Sequence, residues 1–353
     1  MNAEQTLLLN MVSQGVGNKC ATPSLSVNWN RFVSLAVCEG VGAIVCDSLQ
    51  NIEIDGDTKY ELMASYIQAE SRYSQCVSAL SALAKLCRKH SVKLLVLKGY
   101  GLSLNYPVPA HRPCGDIDVY MFGCGEFINQ MMEDELGISV DRENPHHSSF
   151  VFGGFNVENH NTFLDVEDYR NHIADEQLFQ ELLAEGCTEI SVGNEKCLVP
   201  SVKLNSVYVL RHMAHHFSVG KITLRHVLDW AMFVRANHDC IDWDFVWEYA
   251  GKSGCSRFLN CLNGICVGQL GFESEMFPVR ERYGRLQRRM LEDILTPYKK
   301  NLPPVSRNFR VGVIKALRLL KGGWKYRMCC NDSVAGLVWR LAYSRMAERL
   351  QRG

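Results

Sequence analysis

Residues 94–120 read LLVLKGYGLSLNYPVPAHRPCGDIDVY, and the two ends of this stretch carry the fold. VKLLVLKG at 92–99 is a short Leu- and Val-rich run closed by a glycine, the pattern of a central strand. YGLSLNYP at 100–107 predicts a short helix stopped by Pro107. CGDIDVYMF at 114–122 predicts a second strand. Side chains alternate along a strand, so Asp116 and Asp118 point one way, about 7 Å apart at Cα. Ile117 and Val119 point into the opposite, packed face. An unpaired buried carboxylate costs several kcal/mol, so such groups are paired, neutralised or bound to metal. The pair calls for a cation.

Outward from this stretch the hydrophobic period changes. Residues 1–90 predict helices, with apolar residues three and four apart in WNRFVSLAVCEGVGAIVCDSL and YELMASYIQAESRYSQCVSALSALAKLCRKH. After the second strand, GEFINQMMEDELG predicts a helix closed by Gly137, and ISVDREN a third strand. SSFVFGGFNVENHNTFLDV predicts a hairpin turning at Gly153-Gly154. From about residue 200 the chain is helical again, in SVKLNSVYVLRHMAHHF, ITLRHVLDWAMFVRANH and IDWDFVWEYAGKSG. FPVRERYG and LTPYKKNLPPVS are rich in helix breakers. NFRVGVIKALRLLKGGW and SVAGLVWRLAYSRMAERL predict two amphipathic tail helices. The expected division is a helical segment over 1–90, a core of strands and helices over 91–200, a helical segment packing on it over 201–270 and a basic tail over 271–353.

The chain has 353 residues, 47% hydrophobic and 22% charged, with a formal net charge of zero, the composition of a globular protein with a sizeable core. The charge is uneven: residues 279–353 hold 18 Lys/Arg against 5 Asp/Glu. That excess fits a polyanion contact, an anionic membrane surface or docking on the acidic remainder. The 15 Cys form no CxxC pair, and MNAEQTLLLNMVSQ lacks the basic start of a signal peptide. Reduced thiols and a cytoplasmic location are expected. No apolar run reaches the length of a membrane span; Glu39 interrupts the best, FVSLAVCEGVGAIVC.

Two carboxylates at the spacing of Asp116 and Asp118 can reach one hard cation or bridge two. A strand followed by Lys98-Gly99 and a helix start offers a phosphate a cation and backbone amides. In FNVENHNTF, Glu158 and His160 share one strand face, and Glu158 adds a third carboxylate. His212 and His216, four apart on a helix, have the spacing of a zinc pair, but there is no HExxH glutamate and no obvious third ligand. Arg225 and Asp229 have the spacing of a helix ion pair. Cys114 and Cys124 read as packing residues. There is no GxSxG, Walker A loop or GxGxxG.

Strand–Lys-Gly–helix, then Arg-x-x-x-Asp-Ile-Asp, then a late Glu-x-His strand resembles the nucleotidyltransferase superfamily that includes DNA polymerase β. The order is closer still to a bacterial family of uncharacterised nucleotidyltransferases. The residues that carry it are Leu97-Lys98-Gly99, Tyr106-Pro107, Arg112, Asp116-Ile117-Asp118, Glu158-Asn159-His160, the RHMAHH run from Arg211 and the LRHVLD run from Leu224. The wider superfamily has Gly-Ser where this chain has Lys98-Gly99, and an apolar residue is more usual at Asn159.

The resemblance implies an α+β fold: a polymerase β-like core of mixed sheet and helices, flanked by N- and C-terminal helical segments. It implies transfer of a nucleoside monophosphate from an NTP to a hydroxyl-type acceptor, with release of pyrophosphate. Asp116, Asp118 and Glu158 would hold two Mg²⁺ ions, with Mn²⁺ as the alternative, and carry the catalysis. Lys98, Gly99, Arg112, Gly115, His160, Lys221 and Arg225 would contact the nucleotide. The acceptor, whether small molecule, protein or RNA, is not written in these residues. The rival expectations are a catalytically inactive relative, a nucleic-acid-binding protein led by the basic tail, and a Mg²⁺-dependent phosphohydrolase.

Overall fold

The computed structural model describes residues 1–19, 26–49, 54–166, 171–296 and 322–331. Of the expected tail helices, the second and all but the last residues of the first lie outside the described residues.

The strand–helix–strand reading of residues 92–122 holds, and the rest of a mixed seven-stranded sheet assembles around it. The strands are β1 (Leu95–Val96), β2 (Ile117–Tyr120), β3 (Val140–Asp141), β4 (His147–Phe152), β5 (Phe155–His160), β6 (Cys187–Val192) and β7 (Glu195–Pro200). Their spatial order is β3-β4-β5-β2-β1-β7-β6. β2 lies at the centre, antiparallel to β1 and parallel to β5. β1 runs parallel to β7. The short helix after Gly99 is a single turn, Tyr100–Ser103. A turn that short has no useful macrodipole, so backbone amides at Lys98-Gly99 would have to meet a phosphate without help from a helix dipole.

The sheet separates two cores. Alternation along β2 sends Ile117 and Val119 to one face, with Val96, Phe150, Phe155 and Val157. That face is covered by Cys76, Leu80 and Leu83 of the long helix Gly56–Lys89 and by Ile128, Met131 and Met132 of the helix Gly125–Asp134. The long helix starts at an Asp55 cap that accepts from Thr58 N and ends on Arg88 and Lys89, charges that suit the helix dipole. Leu95 and Leu97 point to the other face, into a larger core. That core contains the helices Asn171–Glu185, Val202–Val219, Leu224–Asn237, Trp243–Lys252 and Ser256–Leu270, together with the helices of residues 3–46. Val202–Val219 is buried on nearly every side, and the helix Gly323–Cys329 packs on it, where Arg211 Nη1 donates to Cys329 O at 2.9 Å.

The β4–β5 hairpin turns at Gly153-Gly154 as expected, with φ of 58° and 80°, the positive values of a tight two-residue turn. Register pairs Phe152 with Phe155. A Cβ on Gly153 would stand 2.6 Å from Ala79 Cβ of the long helix, so Gly153→Ala must both strain the turn and push the hairpin off the helix. The expected cost is about 2–3 kcal/mol of stability, read from urea denaturation. Gly154→Ala, with open space around its Cβ position, serves as the milder control.

Candidate active site

Asp118 sits at the centre of β2, on the face opposite Ile117 and Val119, and looks toward the helix Val202–Val219. Its Oδ1 accepts from Lys98 Nζ at 2.9 Å and lies 2.9 Å from His160 Nε2. Among the described residues no hydrogen bond reaches Oδ2. Burial alone would raise this carboxyl. The Lys98 charge and the His160 hydrogen bond outweigh it and hold the group well below the usual carboxylate range. Lys98 is the mirror case: burial would lower its ammonium, and Asp118 keeps it raised. Part of the opening puzzle is therefore answered within the chain, because Asp118 already has a cation partner.

Parallel pairing of β2 and β5 sets Asp118 directly opposite Glu158. Burial and the neighbouring Asp118 charge push the Glu158 carboxyl up. A ligand atom each from Asp118, Glu158 and His160 lies within 4.8 Å of the others. Asp116 stands one residue before β2 and is exposed, so it needs no buried partner; the expectation that both aspartates are buried in the strand holds for Asp118 alone. Gly99 has φ of 52° and brings its backbone against Asp116 O, which a Cβ would approach to 3.3 Å. A side chain is excluded there both by the left-handed backbone and by this close approach.

These groups open into a cleft of about 280 Å³, walled on the far side by Val209, His212, Met213 and His216 and by Arg225, His226 and Asp229. Burial pushes the imidazoles of the far wall down, His216 to about 4 and His226 to about 3, so these rings are neutral near pH 7. The tautomer of His226 follows from its cap: Nδ1 accepts from Thr223 N at 3.1 Å, which leaves the ring proton on Nε2. Arg225 has no such anchor. Its Nε is buried with no hydrogen-bond partner among the described residues, and burial, with Arg112 nearby, lowers its guanidinium.

A family described as uncharacterised nucleotidyltransferase matches residues 26–268. The chain belongs to that family. No curated protein matches. Among solved structures, an antigenic nucleotidyltransferase-like protein from Paracoccidioides brasiliensis is similar at 12% identity and a TM-score of 0.33, over 46% of this chain and 76% of that one.

In this family member, one cleft gathers Lys98, Gly99, Arg112, Gly115, Asp116, Asp118, Glu158 and Arg225. His160 stands immediately behind, bonded to Asp118. Lys221 is not among the lining residues. Its Nζ donates to Glu39 Oε1 at 3.1 Å and Thr296 O at 2.8 Å, and Glu39 also accepts from Leu224 N. The glutamate that breaks the apolar run of residues 32–46 is thus a buried helix cap, and Lys221 is its counterion.

Arg112 lines the cleft but is already engaged. Its Nε and Nη2 grip both oxygens of Asp229, at 3.0 and 2.8 Å, and Nη1 donates to Pro113 O. Tyr106 OH donates to the same Asp229 at 2.8 Å. The expected Arg225–Asp229 helix pair is replaced by this one, and Arg225 is released toward the cleft. In the RHMAHH run, Arg211 pairs with Asp175 at 2.9 Å and ties the helix inward, while His212 and His216 face the cleft with ring centroids 4.3 Å apart. The clusters able to hold a metal among the described residues lie elsewhere, so the zinc reading of His212 and His216 has no support. His146 and His147, which no sequence signal marked, stand beside His160.

No helix among the described residues is long and apolar enough to cross a membrane.

Proposed function

We propose that the chain transfers a nucleoside monophosphate from an NTP to a hydroxyl-type acceptor with release of pyrophosphate, using Mg²⁺ held by Asp116, Asp118 and Glu158. The observation that carries this reading is the Asp118–Glu158 register on adjacent parallel strands at the floor of a cleft that also presents Lys98 and Arg225. The donor set suits the ion: all three ligands are hard carboxylate oxygens, Oδ2 of Asp118 is unshared, and Glu158 is raised beside another carboxylate, so a divalent cation would relieve both. When bound, Mg²⁺ neutralises phosphate charge and acidifies the acceptor oxygen.

The chain's own residues do the rest. Arg225, a desolvated guanidinium lacking an acceptor at Nε, offers its donors to the triphosphate. Lys98 holds Asp118 ionised and oriented and stands at the position where a phosphate oxygen would enter. Glu158, which burial and the Asp118 charge make more basic than a free glutamate, would hold the ion or, as the ionised carboxylate, take the acceptor's proton. The neutral imidazoles of His212, His216 and His226 shield the cleft without competing for phosphate charge. The basic tail, most of which lies outside the described residues, would supply any polyanion contact.

Calorimetric titration of ATP, GTP, CTP and UTP tests the reading. Wild type is expected to bind at least one NTP only with Mg²⁺, and Asp116→Ala/Asp118→Ala to lose that binding. Arg225→Met is expected to weaken Mg·NTP binding by about tenfold or more, since a charge-assisted contact contributes about 1.5–3 kcal/mol. Its thermal stability should stay near wild type, since no described hydrogen bond or ion pair is lost. No NTP binding by wild type would instead favour a catalytically inactive relative. Release of inorganic phosphate in place of pyrophosphate would favour a phosphohydrolase.

A further inference from the structure

Behind the carboxylates lies a second cluster, which shares His160 with them and adds His146 and His147, two residues that nucleotide transfer does not use. His146 precedes β4, His147 opens it, and His160 closes β5 opposite His147. One ring nitrogen from each lies within 4.8 Å of the other two. The surrounding hydrogen bonds fix two of the tautomers. Thr162 Oγ1 donates to Leu164 O at 2.7 Å, so in its 2.8 Å contact with His146 Nδ1 the imidazole is the donor. An ionised carboxylate only accepts, so His160 Nε2 carries the proton toward Asp118. In neutral rings the two remaining nitrogens, His146 Nε2 and His160 Nδ1, are both lone pairs, yet they face each other at 3.2 Å. Two acceptors so placed repel unless a proton or a metal ion stands between them. His147 adds a nitrogen with the same need: its Nδ1 is buried with no partner among the described residues.

We propose that His146, His147 and His160 bind a divalent transition-metal ion of the zinc class, at a site adjoining the carboxylates but distinct from them. Imidazole nitrogens select such ions over Mg²⁺. A 3.2 Å separation is close to that of two nitrogens each about 2.1 Å from a shared tetrahedral ion. Both fixed rings send their other N–H to an oxygen, His146 to Thr162 and His160 to Asp118, which is the outer-shell arrangement that orients ligating histidines. Through His160 the ion is coupled to Asp118: a metal on Nδ1 makes Nε2–H a stronger donor to the carboxylate.

The site does not depend on nucleotide transfer, and its test does not read activity. Full-length, chelator-stripped protein is titrated with Co²⁺ and followed in the visible. One equivalent is expected to bind with the intense bands of low-coordinate cobalt and to be displaced by Zn²⁺. His146→Ala and His147→Ala should each weaken it by about tenfold or more, while Asp116→Ala leaves it unchanged. His146→Gln and His147→Gln replace any alanine variant whose circular dichroism shows lost fold. No Co²⁺ or Zn²⁺ binding by folded wild type overturns the proposal. So does binding that survives the histidine substitutions but is lost in Asp116→Ala, which would put the ion among the carboxylates.

Discussion

Asp118→Asn is expected to abolish nucleotidyl transfer and to destabilise the fold, and the two losses separate in a double variant. Asp118 Oδ1 is the shared acceptor for Lys98 and His160, and the Lys98 and Asp118 side chains are only 15% and 13% exposed. Removing the carboxylate charge leaves a largely buried ammonium without a counterion, a change that costs about 3 kcal/mol. Transfer should fall by at least about 10³-fold, the scale of losing a group aimed at transition-state charge. Lys98→Met/Asp118→Asn removes both charges and should recover most of the stability and none of the activity. The pH dependence has a definite sign. The folded carboxyl of Asp118 is depressed, so its contribution is complete above the unfolded value of about 4 and is lost on acidification below it. The gap between wild type and Asp118→Asn should therefore be widest near neutrality and close in acid. Full turnover by Asp118→Asn would sink the catalytic assignment, and unchanged stability would show the ion pair to be neutral.

Local signals carried the centre of the fold. A glycine-closed apolar run, an alternating DIDVY and a Gly-Gly turn between alternating strands are each decided by neighbours in sequence, and each corresponds to an element observed. β6 and β7 show no clean alternation to read, because Thr188 and Glu189 are both exposed and Leu198 and Val199 both half-buried; the Gly193-Asn194 turn is the signal that could have found them. In the cleft, residue types were legible and partners were not. Nothing local says whether Asp229 will pair with Arg225, four residues away on its own helix, or with Arg112, 117 positions back. Tertiary packing decides that, and it gives Asp229 to Arg112 and leaves Arg225 unpaired on the cleft wall among the described residues. The partner of Lys221 is hidden for the same reason, Glu39 lying 182 positions away. His146 and His147 carry no motif spacing to His160; only the hairpin register brings them together.

The Arg112–Asp229 pairing can be measured. Arg112→Met is expected to cost about 3–5 kcal/mol of stability, more than any other substitution considered, because Asp229 is left buried with Tyr106 OH as its remaining described hydrogen-bond partner. Burial would raise the Asp229 carboxyl, and the Arg112 guanidinium is what keeps it lowered and ionised; without Arg112 the group must take up a proton or open the site. Arg112→Lys should recover only part of the loss, since an ammonium cannot grip both oxygens as the planar fork does. Arg112→Met/Asp229→Leu, which removes both charges, should return close to wild-type stability. A phosphate-binding Arg112 predicts the opposite pattern: near-normal stability in Arg112→Met and a raised KM for NTP. Urea denaturation of the three variants beside their KM values separates the readings. Since the fork spends its Nε and Nη2 on Asp229 and Nη1 on Pro113 O, the stability loss is the expected result. The helix Leu224–Asn237 is then held against residues 106–113 by this buried pair, which is what keeps Arg225 facing the cleft.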